Sequence, residues 1–158
     1  MLRTVAICAS LALACSAATA GEPCEMAASF GLFSVDHNGS SGVAGLELRW
    51  PEVRWGLRPA AGVLATNDLA AYVYGGLRYD IRLSERWTLT PHTAAGLYWE
   101  GDDKDLGGPV EFRSGVDLTW RVSARMSVYA SYSHISNSSL YGSNPGTNPG
   151  VVGIVWRP

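Results

Sequence analysis

The stretch from Val110 to Val122 fixes the conformational class of this chain. Val110, Phe112, Ser114, Val116, Leu118, Trp120 and Val122 alternate with Glu111, Arg113, Gly115, Asp117, Thr119 and Arg121. Successive side chains of an extended backbone point to opposite faces, so a period of two builds one mainly apolar face and one charged face. A helix of this length would carry apolar residues at i, i+3 and i+4, and it does not. The same alternation runs through Ala71, Val73, Leu77, Tyr79, Ile81 and Leu83, opposed by Tyr72, Tyr74, Arg78, Asp80 and Arg82. It recurs through Trp87, Leu89, Pro91, Thr93, Ala95, Leu97 and Trp99, opposed by Arg86, Thr88, Thr90, His92, Tyr98 and Glu100.

Segments of this kind fall at 26–35, 42–51, 57–66, 69–83, 86–100, 109–122, 125–136 and 150–157. Their number is even and most are near the 9–11 residues that a tilted strand needs to cross a bilayer. Connections around residues 51–54, 83–86 and 122–125 are short, whereas those at 36–41, 100–108 and 137–149 are longer and rich in Gly, Asn and Asp. The turn at 66–68 is a short one on the longer side. Short turns at one end and long loops at the other predict an all-β, eight-stranded antiparallel up-and-down transmembrane β-barrel, with the short turns in the periplasm. Trp50, Trp55, Trp87, Trp99, Trp120 and Trp156 lie near segment ends, where an aromatic girdle sits at the lipid–water boundary. A soluble eight-stranded barrel or sandwich with its apolar face inward is the alternative, and alternation alone does not separate the two. In a membrane barrel of this size side chains fill the interior. Arg78, Asp80, Arg82, Glu111, Arg113, Asp117 and Arg121 are predicted to form a paired network there, which removes transport from the functions open to the chain.

The first twenty residues read as a secretory signal that is cleaved: a basic start at Arg3, an apolar middle, and Ala18-Thr19-Ala20 before Gly21. Processing as a lipoprotein at Cys15 is disfavoured by the poor match of Ala12-Leu13-Ala14. Residues 21–158 then form one domain, exported and placed in a bacterial outer membrane. Removal of the signal takes Cys8 and Cys15 with it, so no disulfide framework and no CxxC metal site is expected. Eleven basic residues then face fourteen acids, which offers no field for nucleic acid. No cofactor and no metal are expected; His92 alternates with inward residues and reads as an interior polar group, and His37 sits in a Gly/Ser loop.

The segment 125–136 places Met126, Val128, Ala130 and Tyr132 on its lipid-facing parity, and His134 and Ser136 share that parity. Two such residues are about 6–7 Å apart along a strand, so a tilted imidazole can reach the hydroxyl. With the chain starting in the periplasm the seventh strand runs outward, and the pair lies near the outer leaflet. Polar groups facing lipid are costly unless they are interfacial or used. The competing reading is that alternation ends at the strand tip and residues 134–137 are loop in the headgroup zone.

The stretch "HISNSSLYGSNPG" resembles the C-terminal signature of the PagL-type lipid A 3-O-deacylases, outer-membrane serine esterases built as eight-stranded barrels with a His-x-Ser-Asn motif. The strand "GGPVEFRSGVDL" before it shares the likeness. The resemblance implies that Ser136 is the nucleophile and His134 the general base, with Asn137 and Asn144 shaping the loop or the oxyanion site. It implies lipid A or lipopolysaccharide in the membrane as the partner, and leaves a homodimer open.

One position departs from the family pattern. These enzymes complete a triad with a glutamate at the start of the eighth strand, and the matching residue here is Asn148. No Asp or Glu follows Asp117. An amide can hold an imidazole but cannot stabilise imidazolium by charge and can select the wrong tautomer; in the serine-protease triad the acid-to-amide change lowers turnover by about 10⁴. Three readings stay open: Asn148 as a weaker third member, a loop acid (Glu100, Asp102, Asp103 or Asp105) reaching His134, or a barrel that binds lipopolysaccharide or serves the membrane structurally without catalysis.

Overall fold

A computed structural model describes residues 24–36 and 40–158. The expected signal segment, 1–20, and His37 lie outside the described residues. The strands are β1 (Glu25–Leu32), β2 (Gly42–Arg49), β3 (Leu57–Thr66), β4 (Ala71–Tyr79, continued by Ile81–Arg82), β5 (Trp87–Trp99), β6 (Val110–Arg121), β7 (Met126–Ser136) and β8 (Gly150–Trp156). The ladder of β4 is interrupted at Asp80, whose carboxylate takes hydrogen bonds from Arg58 Nη1 at 3.0 Å and Thr90 Oγ1 at 2.7 Å. Each strand pairs antiparallel with its neighbours in sequence, and β1 pairs with β8 from Met26↔Trp156 to Leu32↔Gly150. That pairing leaves no open edge, so the sheet closes into an eight-stranded barrel.

The two faces of the wall settle which way the alternation points. Phe30, Val73, Leu97, Tyr132, Val152 and Ile154 are exposed on the outside, whereas Glu47, Arg49, Arg78, Glu111, Arg113 and Asp117 are buried inside. An apolar outer wall around a charged interior is the inverse of a soluble barrel and is the pattern of a transmembrane one. Among the described residues no helix is long and apolar enough to cross a membrane; the crossing elements are the strands.

The interior is a network centred on two acids. Glu47 Oε1 accepts from Arg49 Nε at 2.7 Å and Arg78 Nη1 at 3.0 Å, and Glu47 Oε2 accepts from the Tyr74 hydroxyl at 2.9 Å. Asp117 Oδ2 accepts from Arg78 Nη2 at 2.5 Å and Arg49 Nη2 at 3.3 Å. His92 Nε2 faces Asp117 Oδ1 at 3.2 Å as a contact without hydrogen-bond alignment. The expected network is therefore present in part. Arg78 and Asp117 are interior and paired in it; Arg113 is interior but bonds Ser133, Glu111 is interior with no hydrogen-bond partner for its carboxylate among the described residues, and Asp80, Arg82 and Arg121 are exposed. They line a polar cavity of about 640 Å³ that opens at the short-turn end. The reason is length: inward parity persists to the ends of β4 and β6, but the packed centre of the barrel does not.

The tryptophans expected at the segment ends fall unevenly between the two ends of the barrel. Strand direction puts Trp50, Trp55, Trp87, Trp120 and Trp156 at the short-turn end and Trp99 at the other. Trp87 and Trp120, opposite one another in the β5–β6 ladder, approach at 6.3 Å between ring centroids.

Candidate active site

β7 carries its alternation through to its tip. Tyr129, Ser131, Ser133 and Ile135 are buried, while Ala130, Tyr132 and His134 are exposed and Ser136 is half-exposed. His134 therefore stands on the outer wall at the long-loop end, opposite Ser114 of β6, and Ser136 stands opposite the exposed Phe112. The strand does not dissolve into loop before residue 136. The reading in which 134–137 are loop is thereby corrected for 134–136, while Asn137 lies beyond the strand.

The chain approaching β8 extends the ladder beyond the strand. Ile135 and Thr147 exchange backbone hydrogen bonds at 2.8 and 2.9 Å, and Ser133 N–H donates to Pro149 O at 3.0 Å. On the other side Val35 N–H donates to Asn148 O at 3.0 Å, and the Thr147 hydroxyl donates to Phe33 O at 2.8 Å. Residues 147–149 are thus held between the tip of β7 and the chain leaving β1. Thr147 and Pro149 turn inward and are buried, which leaves Asn148 on the outward parity shared by Val152, Ile154 and Trp156.

That register sets Asn148 beside His134. The His134 Nδ1 and Asn148 Oδ1 atoms are 2.7 Å apart. Asn148 Nδ2 donates in turn to Asp36 Oδ2 at 2.6 Å, and Asp36 Oδ1 accepts from the Ser34 hydroxyl at 2.9 Å. Among the described residues no carboxylate pairs with His134 directly. Asp103 instead takes the Ser41 hydroxyl and the Lys104 backbone N–H, and Asp105 takes the Gly107 N–H. The acid nearest the histidine through bonded contacts comes from the first loop, which the sequence reading did not consider.

Among the described residues the Ser136 hydroxyl has no hydrogen-bond partner, and the His134 ring is held through Nδ1 alone. A catalytic serine–histidine bond is often long or absent without substrate and tightens when substrate binds. Gly146, with φ +58°, passes the ring so closely that a Cβ there would meet His134 Cε1 at 3.0 Å.

The two asparagines after the serine divide their tasks. Asn137 is fully buried: its Nδ2 donates to Leu106 O and Ser143 O, both at 2.8 Å, and its Oδ1 accepts from Ser139 N–H at 3.0 Å. Its Nδ2 ties the loop after β7 to the loop between β5 and β6, and its Oδ1 closes a turn within the loop after β7. Asn144 is exposed, and its Oδ1 accepts from the Asn137 N–H at 3.1 Å. Among the described residues no group of His, Cys, Asp and Glu could hold a metal ion.

Fold and wall together define a closed, eight-stranded transmembrane β-barrel with a polar constellation on its lipid-facing side. Residues 100–156 match the family model described as Lipid A 3-O-deacylase (PagL), the region that contains β6, β7, His134, Ser136 and Asn148. The likeness read in "HISNSSLYGSNPG" is thereby shown for the C-terminal part of the chain. In fold the chain is similar to the outer membrane enzyme PagL, with a TM-score of 0.65 and 15% identity over 85% of this chain and 99% of that one. It is also similar to a de novo designed transmembrane β-barrel (TM-score 0.59, 15% identity, covering 85% and 94%) and to Neisserial surface protein A (TM-score 0.58, 12% identity, covering 85% and 96%). The comparison with curated proteins finds no match.

Proposed function

We propose that this protein is an outer-membrane esterase that removes the 3-O-linked acyl chain of lipid A, with Ser136 as nucleophile and His134 as general base. The observation that carries the reading is the position of His134: an imidazole on the outer wall of a barrel, held by its Nδ1, where an apolar side chain would satisfy the membrane better. A substrate fixed in the outer leaflet reaches such a group laterally, and its acyl chains lie against neighbouring outward residues such as Phe112, Val116 and Tyr132. The 1–20 segment serves as the cleaved export signal in this account.

In the reaction the Ser136 Oγ attacks the ester carbonyl while His134 Nε2 takes its proton. The tetrahedral oxyanion is met by the side-chain amide of the exposed Asn144, and Asn137 holds the loop that carries it. Collapse expels the sugar 3-oxygen, which recovers the proton from His134, and water then releases the fatty acid from Ser136 by the same steps in reverse order. Incubating the purified protein with lipid A tests the reading: free 3-hydroxy fatty acid is expected, and its absence would contradict it.

The close passage of Gly146 adds a separate expectation. Gly146→Val places a branched side chain at a left-handed backbone position and against the imidazole edge. A displacement of about 1 Å at a catalytic group can cost about 10²-fold in rate. Turnover of Gly146→Val is expected to fall by about that factor, measured as fatty acid released per minute.

A further inference from the structure

We infer that Asp36 supplies the acid missing from the third triad position, acting on His134 through the side chain of Asn148. The inference rests on the esterase reading above for its kinetic consequences, but the tautomer it imposes can be observed without turnover.

An asparagine beside a catalytic histidine has two orientations with opposite effects. If its NH2 faces the ring, it demands a bare Nδ1 and drives the proton to Nε2, where it blocks base catalysis. If its carbonyl faces the ring, Nδ1 keeps the proton and Nε2 is left to receive the one from serine. Asp36 decides between them. An ionised carboxylate only accepts hydrogen bonds, so the Asn148 NH2 must face Asp36, 2.6 Å away. Its carbonyl then faces His134 Nδ1 at 2.7 Å. The orientation follows from the chemistry of the two ends of the chain, His134–Asn148–Asp36, and Ser34 holds the far oxygen of Asp36 at 2.9 Å.

The same chain transmits charge. A carboxylate on the NH2 side polarises the amide, which makes Oδ1 a stronger acceptor as the neighbouring imidazole becomes positive. This is weaker than a direct carboxylate but stronger than an isolated amide. The geometry depends on barrel closure: His134, Asn148 and Asp36 sit at the tips of β7, β8 and β1, three adjacent strands, although Asp36 and Asn148 are 112 residues apart in the chain. Asp36 is thus a positioning residue, since it touches neither the ester nor the serine.

The test is a cycle of variants in the full chain refolded in detergent micelles, with acyl release and the nitrogen NMR shifts of the His134 ring as readouts. Asp36→Ala is expected to lower kcat about ten- to a hundredfold, the scale of one hydrogen bond to a charged group, with KM little changed. It is also expected to move the His134 proton from Nδ1 toward Nε2. Asn148→Glu alone sets two carboxylates against each other and is expected to be slower than the double variant Asp36→Ala/Asn148→Glu, which restores a rate within a few-fold of the wild type. If Asp36→Ala leaves rate and tautomer unchanged, or if it costs as much in the Asn148→Glu background as alone, the inference is overturned. A wild type that releases no acyl chain, yet whose tautomer depends on Asp36, would uphold the relay and refute the esterase reading.

Discussion

Ser136→Ala is expected to abolish acyl release from lipid A, by about 10⁴-fold or more, because the nucleophile of a serine–histidine unit cannot be replaced by its neighbours. The loss should be catalytic and not structural. Ser136 is half-exposed at the tip of β7 and, among the described residues, its hydroxyl makes no hydrogen bond, so its removal is expected to change stability by about 0.5 kcal/mol at most. Released 3-hydroxy fatty acid, quantified by mass spectrometry, and the urea midpoint of the same preparation separate the two effects. Equal release from the wild type and Ser136→Ala would remove Ser136 from the mechanism.

Asp117→Ala is expected to destabilise the barrel by about 3–5 kcal/mol, since deleting one partner of a buried ion network leaves its counter-charges uncompensated. Asp117 contacts Arg49, Arg78 and His92, and among the described residues the other acid bonded to those arginines is Glu47. Without Asp117 the two guanidiniums share one carboxylate, and Arg113, 5.1 Å from the Tyr74 ring, adds a third cation to the same space. Unfolding in urea from lipid vesicles, followed by tryptophan fluorescence, is the measurement. A midpoint equal to that of the wild type would show that the network is a space-filling device with no net electrostatic role.

The wall of the barrel was legible in the sequence because a strand with lipid on one side and charge on the other writes its faces in strict alternation. β4, β5 and β6 show it over long runs, and the observed exposure follows the predicted parity through their centres, departing from it at the short-turn ends where Asp80, Arg82 and Arg121 are exposed. β2 shows it less clearly: its inward parity reads Val43, Gly45, Glu47 and Arg49, so half of that face carries no charge and the contrast with the outward Ala44, Leu46 and Leu48 is confined to the strand's end. Glu47 and Arg49, central to the interior, were missed for that reason. The outward face of His134 and Ser136 was legible because parity is a local property and extends to the end of β7.

Asp36 was not legible. Nothing near it in sequence marks it as a site residue, and its relation to Asn148 exists only because β1 pairs with β8 and carries the first loop over the tip of the barrel. The loop acids that were considered, Glu100, Asp102, Asp103 and Asp105, lie between β5 and β6, on the side of β7 opposite to β8 and Asn148. Pattern along the chain indicates which face a residue takes; which strands flank the histidine follows from closure.

The central claim is that the outer wall around His134 and Ser136 hydrolyses one ester of lipid A. The mass of lipid A extracted from outer membranes of bacteria producing the protein tests it most directly, with Ser136→Ala as the parallel sample. The account predicts a loss of one 3-hydroxyacyl chain from the 3-position with the wild type and none with Ser136→Ala. Lipid A of unchanged mass with the wild type, or the same loss with both, would contradict it.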